Sequence, residues 1–315
     1  MAVFTKLNHN QIEDFLSLYS LGSLENFSEI IEGIENSNYK IICNGKPYIL
    51  TVFEKRVKDE DLPFFMNLKL YLCNNKFSCP MPLEDKDGKF INTILNKKAV
   101  IISFIEGNQI KKPNINECNE VGKMTAKLHK LTMQFDQKRS NSLDVNEWKR
   151  LFQKCESKKV DEFNNIFKDL KDEIELIEKS WPRNLPSGIV HADLFKDNIF
   201  FIDNEVSGFI DFFFSCTDTV IYDLATFVNA WFFFNNQFQE GDFKKFLRSY
   251  EKEYELTIEE KNNFNFYLKV SAIRFFLTRI YDLNFNVEGN VKHKNPLEFF
   301  EIFKFHEKNN LQDFF

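Results

Sequence analysis

The sequence has no excess of basic residues: 41 lysines and arginines stand against 47 acidic residues, and the formal net charge is −6. A protein with that balance has no positive field to draw it to nucleic acid or to anionic lipid, so neither is expected as a partner. The sequence also lacks an apolar run near the roughly 18 residues of a membrane-spanning helix, and its first residues lack the apolar segment of a secretory leader. We therefore expect a cytoplasmic protein with no membrane partner.

Paired cysteine motifs are absent as well. The chain has six cysteines and no C-x-x-C pair; they are Cys43, Cys73, Cys79, Cys118, Cys155 and Cys216. Scattered cysteines without a leader favour reduced structural thiols over disulfides or a zinc site. This agrees with a reducing compartment.

The first hundred residues have mainly the pattern of antiparallel sheet. The predicted strands cover residues 27–33, 39–43, 47–53 and 98–104. Asn44-Gly45 is the strongest short-range signal for a tight hairpin between two of them. Apolar spacing predicts a short opening helix capped by Asn8 and a second helix over 62–72.

Helical patterns dominate after residue 104. One apolar stripe runs from Ile115 to Leu131 behind an Asn114/Glu117 capping box, and another runs from Val160 to Ile177. A strand-rich insert over 189–212 turns at Asp203-Asn204, and a Thr257/Glu260 capping box opens a late helix. The chain therefore predicts an α+β fold of two lobes, 1–104 and 105–315, with a cleft between them.

The insert carries the residues with the clearest chemistry. Asp193 follows His191-Ala192, Asn198 comes five residues later, and Asp211 lies beyond the predicted hairpin. Phosphoryl transfer needs a carboxylate to orient the attacking hydroxyl and oxygen ligands to hold magnesium on the phosphates. An isolated Asp in a turn is usually a hydrogen-bonding device, but these three in this order match the catalytic loop and metal-binding Asp of kinases. We assign Asp193 to catalysis and Asn198 and Asp211 to metal.

With these residues in place, the chain resembles the aminoglycoside phosphotransferase and choline kinase superfamily, and it is most similar there to type II homoserine kinases of bacteria. The resemblance covers nearly the full length. It is carried by residues 33–39, 48–56, 61–65, 78–80, 191–195, 211–212, 222–225, 229–231 and 274–279. The resemblance implies a protein-kinase-like fold, in which the N-terminal lobe binds nucleotide and the C-terminal lobe binds substrate.

The resemblance also implies an activity. Mg-ATP would phosphorylate the side-chain hydroxyl of L-homoserine, giving O-phospho-L-homoserine for threonine biosynthesis, with ATP and Mg²⁺ as cofactors. Another kinase of the same fold, acting on choline, ethanolamine or an aminoglycoside, is the alternative. A catalytically inactive kinase-like binding module is a further alternative, which the intact Asp193, Asn198 and Asp211 disfavour.

The resemblance places the nucleotide against the first lobe. The segment 33–39 would take the place of the glycine-rich loop, with Gly33, Asn36, Ser37 and Asn38 near the phosphates. This segment has a single glycine, and Asn and Ser are common in turns. Phe104 and Glu106 lie in the expected hinge, 103–107, whose backbone would bind adenine.

One departure from the family pattern concerns charge. Most relatives have a lysine on the third strand that clamps the ATP phosphates and pairs with a helix glutamate, but Thr51 stands at that strand position and Phe64, Phe65 and Met66 occupy the helix. Losing both partners is coherent because a single buried charge is costly. Lys55 or Arg56 would supply the charge instead.

Other polar residues favour structural roles. Asp223 opens an apolar helix and His129 lies off the apolar face of its own helix, so neither is assigned to catalysis. Arg274, Arg279 and Trp231 are the candidates for contact with substrate. A protein carboxylate such as Asp282 is the more common partner for a buried arginine, and tryptophan is more often core.

Overall fold

The computed structural model describes residues 3–31, 36–54, 57–158, 163–285 and 294–315. They divide into two compact units. The first contains the described residues of Met1–Asn108 together with Ser207–Phe213, and the second contains those of Gln109–Val206, Phe214–Val287 and His293–Phe315. We predicted from the sequence that the whole strand-rich insert, residues 189–212, lies in the C-terminal lobe. In the structure, residues 207–212 belong to the first unit.

The first unit is built on an antiparallel sheet. Its described strands are β1 (Leu24–Ile30), β2 (Ser37–Cys43), β3 (Lys46–Val52), β4 (Asn92–Ile94) and β5 (Lys97–Ser103), in the order β1-β2-β3-β5-β4. Asn44 and Gly45 both have positive φ, 49° and 69°, as the tight turn between β2 and β3 requires. The predicted hairpin is confirmed. Strand β4 was not predicted, because its turn to β5 uses Leu95 and Asn96 at positive φ and leucine is not a turn signal.

Two helices accompany this sheet. Helix α1 (His9–Leu16) begins with the predicted Asn8 cap, whose side chain accepts from the backbone of Gln11. Helix α2 (Leu62–Asn74) buries residues on most of its circumference, which fits its nearly continuous apolar sequence. Among its buried residues is one cation, Lys69, with 1% of its surface exposed.

The second unit is mainly helical. Its described helices are α3 (Ile115–Thr132), α4 (Val145–Ser157), α5 (Asn164–Lys179), α6 (Val220–Trp231), α7 (Glu240–Glu253), α8 (Ile258–Phe285) and α9 (Leu297–Lys308). The predicted capping boxes open α3 and α8, because Asn114 with Glu117 and Thr257 with Glu260 exchange the expected hydrogen bonds. Val160 lies outside the described residues. No helix in the described part of the chain is long and apolar enough to span a membrane.

Short strands interrupt these helices. Strands β6 (Ser187–Val190) and β9 (Cys216–Thr219) pair antiparallel, and β7 (Ile199–Ile202) and β8 (Glu205–Phe209) form a hairpin. A last short pair joins β10 (Phe233–Phe234) to β11 (Gln237–Phe238). The hairpin turns at Asp203 and Asn204 as predicted, both with positive φ. Strand β9 was missed because its sequence, Cys216 to Thr219, carries no apolar alternation.

Helices α3 and α7 approach each other closely at Gly122. A Cβ built on this residue would lie 2.7 Å from the backbone oxygen of Phe246 and 3.3 Å from Cβ of Ser249. Backbone and Cβ atoms cannot rotate away as the end of a long side chain does. Gly122 therefore sets the spacing of the two helices.

We expect Gly122→Ala to lower the free energy of unfolding by about 1–3 kcal/mol, because the helices must separate to admit the methyl group. Urea unfolding measures the change. Gly241→Ala on α7 is the control, since nothing lies within 4 Å of its Cβ and alanine favours helix by up to about 1 kcal/mol. Equal stability of the two variants would contradict the close approach.

Candidate active site

The loop after β6 places Asp193 and Asn198 together. A short 3-10 helix, Lys196–Asn198, turns the chain back so that the Asn198 side chain meets the residue five positions earlier. Its Nδ2 donates to the backbone oxygen of Asp193 at 2.8 Å and to Asp193 Oδ2 at 3.0 Å. The nitrogen of the amide is thus used within the loop. Its oxygen is the atom with the chemistry to bind a cation.

The carboxylate of Asp223 binds the backbone of this loop. It lies in the first turn of α6 and is fully buried. Its Oδ2 accepts from the amide of His191 at 2.7 Å and its Oδ1 accepts from the amide of Ala192 at 2.9 Å. The structural role predicted for Asp223 fits these contacts, but the amides that it binds belong to the loop before Asp193 and not to its own helix.

His129 completes the support of Asp223. Its Nε2 lies 3.1 Å from Asp223 Oδ2 and its Nδ1 lies 2.7 Å from the hydroxyl oxygen of Tyr250. The prediction that His129 lies off the apolar face was wrong, because α3 buries this side chain completely between α6 and α7. Burial raises the pKa of Asp223, but the His129 contact and the His191 amide outweigh it and hold that pKa below its usual value.

The peptide of Ala192 is held on both sides. Ala192 has φ +65°, a left-handed conformation that a residue with Cβ adopts only under constraint. Its N–H is bound by Asp223, and its carbonyl accepts from Nη1 of Arg274 at 3.0 Å. These two bonds fix the backbone one residue before Asp193.

Arg274 is a buried cation on α8. Its guanidinium carbon lies 3.9 Å from the centroid of the Phe275 ring and 5.6 Å from that of Phe214, and 2% of the residue is exposed. Its Nε is buried and has no hydrogen-bond partner among the described residues. Burial raises the pKa of Asp193, and the charges of Arg274 and His191 oppose that rise. Arg274 therefore favours the ionised carboxylate and keeps one donor unmatched.

Asp211 follows β8 in the first unit. It also has positive φ, 61°, and precedes a short 3-10 helix, Phe212–Phe214. The ammonium of Lys69 lies 4.3 Å from the centroid of the Phe213 ring. Burial lowers the pKa of Lys69 to about 8, with the Cys79, Asp211 and Cys73 side chains acting to raise it.

Two further observations concern the predicted nucleotide contacts. Gly33, Lys55 and Arg56 lie outside the described residues. Ser37 is fully buried, where its hydroxyl accepts from the amides of Phe4 and Thr5 and donates to Glu54. Its side chain therefore ties the N-terminal segment to the sheet, and we remove it from the predicted phosphate contacts.

Asn36 and Asn38 also have internal partners. Asn36 Oδ1 accepts from the amide of Glu54 at 3.3 Å, and Asn38 Oδ1 accepts from the hydroxyl of Thr51 at 2.8 Å. Glu54 is itself bound by Lys97. These bonds order the strand ends beside the predicted phosphate loop, and nucleotide contact by Asn36 and Asn38 stays a prediction.

The predicted hinge follows β5. Phe104 is partly buried under the ammonium of Lys40, 4.4 Å from its ring centroid, and the side chain of Glu106 is exposed. The backbone oxygen of Glu106 accepts from the hydroxyl of Ser207 at 2.6 Å. Since neither side chain selects a base, adenine binding by the backbone here stays a prediction.

Two of the predicted substrate residues are engaged elsewhere. Arg279 donates to Glu298 at 2.6 Å and to the backbone oxygen of Asn295, so a protein carboxylate, Glu298, is its partner. Trp231 is 2% exposed and stacks on Phe227, and its indole N–H donates to the backbone oxygen of Leu194. We withdraw both from the substrate contacts.

A family model for the phosphotransferase enzyme family matches residues 26–258, which include the catalytic loop and Asp211. The chain belongs to the phosphotransferase enzyme family. It is 39% identical over 308 residues to the homoserine kinase of Agrobacterium fabrum, covering 97% of this chain and 96% of that protein. It is 40% identical over 313 residues to the homoserine kinase of Rhizobium meliloti, covering 97% and 94%.

Solved structures agree with a phosphotransferase fold. An amicoumacin kinase in complex with AMP-PNP, Ca²⁺ and Ami is similar with TM-score 0.71 and 15% identity, covering 96% of this chain and 95% of that one. A spectinomycin phosphotransferase in complex with ADP is similar with TM-score 0.70 and 13% identity, covering 99% and 100%. The two-lobed, protein-kinase-like fold expected from the sequence is confirmed.

The sequence did not predict the burial of two residues that lie beside the candidate site, Lys69 and His129. Lys69 was overlooked because its neighbours on α2 are apolar, and a single lysine in such a helix gives no periodic signal. His129 was assigned to the wrong face because it does not belong to the apolar stripe that runs from Ile115 to Leu131. Aromatic and acidic partners distant in sequence explain why both side chains are buried.

We expect Asp223→Asn to lower the free energy of unfolding by about 1–3 kcal/mol at pH 7, because one loop amide loses its acceptor inside the protein. The folded pKa of Asp223 is depressed, so its carboxylate stabilises the fold above its unfolded pKa of about 4, and this contribution fades as the pH falls further. The difference in unfolding free energy between wild type and variant should therefore become smaller below about pH 4.

Urea titrations at pH 7 and near pH 3.5 measure this difference. Asp218→Asn is the control: Asp218 accepts from Asn141 at 2.7 Å, and burial raises its pKa, so its variant should show no such narrowing. If the difference in unfolding free energy between wild type and Asp223→Asn is the same at both pH values, the ionised carboxylate does not support the loop.

Proposed function

We propose that this protein is a homoserine kinase, which transfers the γ-phosphoryl group of ATP to the side-chain hydroxyl of L-homoserine and forms O-phospho-L-homoserine and ADP. Nearly full-length similarity to homoserine kinases supports the substrate. The observation that carries the proposal is the catalytic loop with Arg274 beside it: a carboxylate for the hydroxyl and an unmatched buried donor for an anionic group.

Asp193 acts on the attacking hydroxyl. Its ionised carboxylate accepts the hydroxyl proton and aligns the oxygen for in-line attack on the γ-phosphate, while Asn198 and the fixed Ala192 peptide hold it in place. The O–P bond to the acceptor forms, the bond to ADP breaks, and the proton passes to Asp193. Pre-arranged geometry matters here because phosphoryl transfer depends mainly on positioning and charge.

Asn198 and Asp211 are the proposed magnesium ligands. Both offer oxygen donors, which Mg²⁺ prefers, and the nitrogen of the Asn198 amide is already used by Asp193. Bound magnesium would offset the charge that develops on the phosphates.

Arg274 distinguishes an amino acid from the alternative substrates. A guanidinium with a free Nε–H suits a carboxylate, which accepts charge-assisted hydrogen bonds, whereas the cationic head of choline or an aminoglycoside would be repelled. Arg274 also keeps its bond to Ala192, so the substrate carboxylate would be bound from the same residue that fixes the loop. A catalytically inactive binding module would not explain why Asp193, Asn198 and Arg274 lie together.

We expect L-homoserine to be phosphorylated with a kcat/KM at least about 10⁴-fold above that of choline or an aminoglycoside, because those ligands leave buried polar groups unmatched. L-Serine, one methylene shorter, should be the nearest competitor, with a loss of about 10–200-fold. ADP release across this panel measures the order, with Asp193→Ala as the inactive background that retains nucleotide affinity. Choline or an aminoglycoside outperforming L-homoserine would refute the substrate assignment.

The role of Arg274 is tested with a substrate that lacks the carboxylate. Wild-type enzyme should prefer L-homoserine to homoserinol by roughly 10–100-fold in kcat/KM, as expected for one charged hydrogen bond. In Arg274→Lys this preference should shrink towards one, even if turnover falls for both substrates. Arg279→Lys is the matched control, because its guanidinium pairs with Glu298. An unchanged preference in Arg274→Lys would restrict Arg274 to supporting the loop.

A further inference from the structure

The strand position that usually supplies a phosphate-binding lysine is neutral in this protein. Thr51 lies in β3 between Asn38 of β2 and Val100 of β5, and 1% of it is exposed. Its hydroxyl donates to Asn38. A nucleotide triphosphate brings several negative charges, and kinases place a lysine against them. Thr51 cannot neutralise any of that charge.

Lys69 is a cation in the same unit. It is carried by α2, and its ammonium lies over the ring of Phe213, two residues after Asp211. The Asp211 carboxylate is near enough to act on the lysine charge. Lys69 therefore stands beside the proposed metal ligand of the nucleotide.

A purely structural role explains Lys69 poorly. The ring beneath the ammonium belongs to an aromatic cluster: the Phe213 ring packs edge-on against Phe53 and Phe65, with centroids 5.1 and 5.5 Å away. Asp211, Cys73 and Cys79 also act on the lysine charge. Within the part of the chain that the structure describes, Lys69 forms no ion pair of 4.0 Å or less. A ring face compensates only part of the hydration that a buried ammonium loses. An anionic ligand would supply a direct partner in addition to the Asp211 charge.

We propose that Lys69 binds the ATP phosphates and so supplies, from helix α2, the positive charge that Thr51 does not. The inference rests on the proposed use of ATP. The usual arrangement places the cation on the strand and its partner on the helix; here the helix carries the cation, and the neutral strand residue avoids a second buried charge. Lys69 is therefore a nucleotide-binding residue that selects for the phosphate chain.

The test compares ATP with adenosine, since only ATP has the phosphates. Lys69→Met keeps the length and apolar stem of the side chain and removes the charge. Isothermal titration should show the Kd for Mg-ATP rising by roughly 10–100-fold, the loss expected for one charge-assisted bond, with adenosine affinity unchanged. The melting temperature of the ligand-free variant should rise or stay equal, because a buried unpaired charge has been removed.

Lys98→Met is the control for loss of one positive charge from the same unit, and it should leave both affinities unchanged. Equal losses for ATP and adenosine in Lys69→Met, or a lower melting temperature with normal ATP affinity, would overturn the inference and make Lys69 structural. A loss of ATP affinity in Lys55→Ala or Arg56→Ala, with Lys69→Met normal, would overturn it in favour of those residues. A wild-type protein that binds no ATP would instead refute the proposed function.

Discussion

The geometry of the catalytic loop depends on the buried carboxylate of Asp223. Its two oxygens accept from the amides of His191 and Ala192, and His129 Nε2 lies 3.1 Å from Oδ2. Without these bonds the left-handed backbone of Ala192 would keep only the Arg274 bond to its carbonyl, since an alanine gains nothing from φ +65°. Asp193 follows directly. Its position is therefore decided by a residue thirty positions later in the sequence, through hydrogen bonds that α6 and α3 bring together.

Local chemistry made much of the fold predictable. Asn8, Asn44-Gly45 and the two capping boxes specify their structures through contacts a few residues away, and all were found in place. Strands β4 and β9 depend on partners instead: β9 pairs with β6 across more than twenty residues and has no apolar alternation of its own. Helix α4 was also missed, although its Asp144 cap and its buried Trp148 are both local signals.

The candidate site was predictable where the chemistry restricts residue types. Asp193 and Asn198 stand in a fixed order, because one side chain must reach the other across a single turn. Ser37 and Lys69 were not predictable. A serine in a turn-like segment gave no sign that Glu54 and the N-terminal segment would use its hydroxyl, and a lysine in an apolar helix gave no sign of its neighbours. The roles of these two side chains depend on tertiary contacts, and such contacts cannot be inferred from sequence spacing.

In each unit one buried cation accompanies one acid that the proposed chemistry requires: Arg274 beside Asp193 and Lys69 beside Asp211. Among the described residues neither cation has a full set of partners: the Nε of Arg274 has no hydrogen-bond partner, and the Lys69 ammonium lies over the ring of Phe213 with the Asp211 charge acting on it. Such groups reduce the stability of the ligand-free fold. An anionic ligand would bind more tightly as a result, because both cations lose their water when the protein folds and not when the ligand binds. On this view each unit has one buried cation whose interactions are completed by a substrate. The carboxylate of homoserine would bind Arg274, and the phosphates of ATP would bind Lys69.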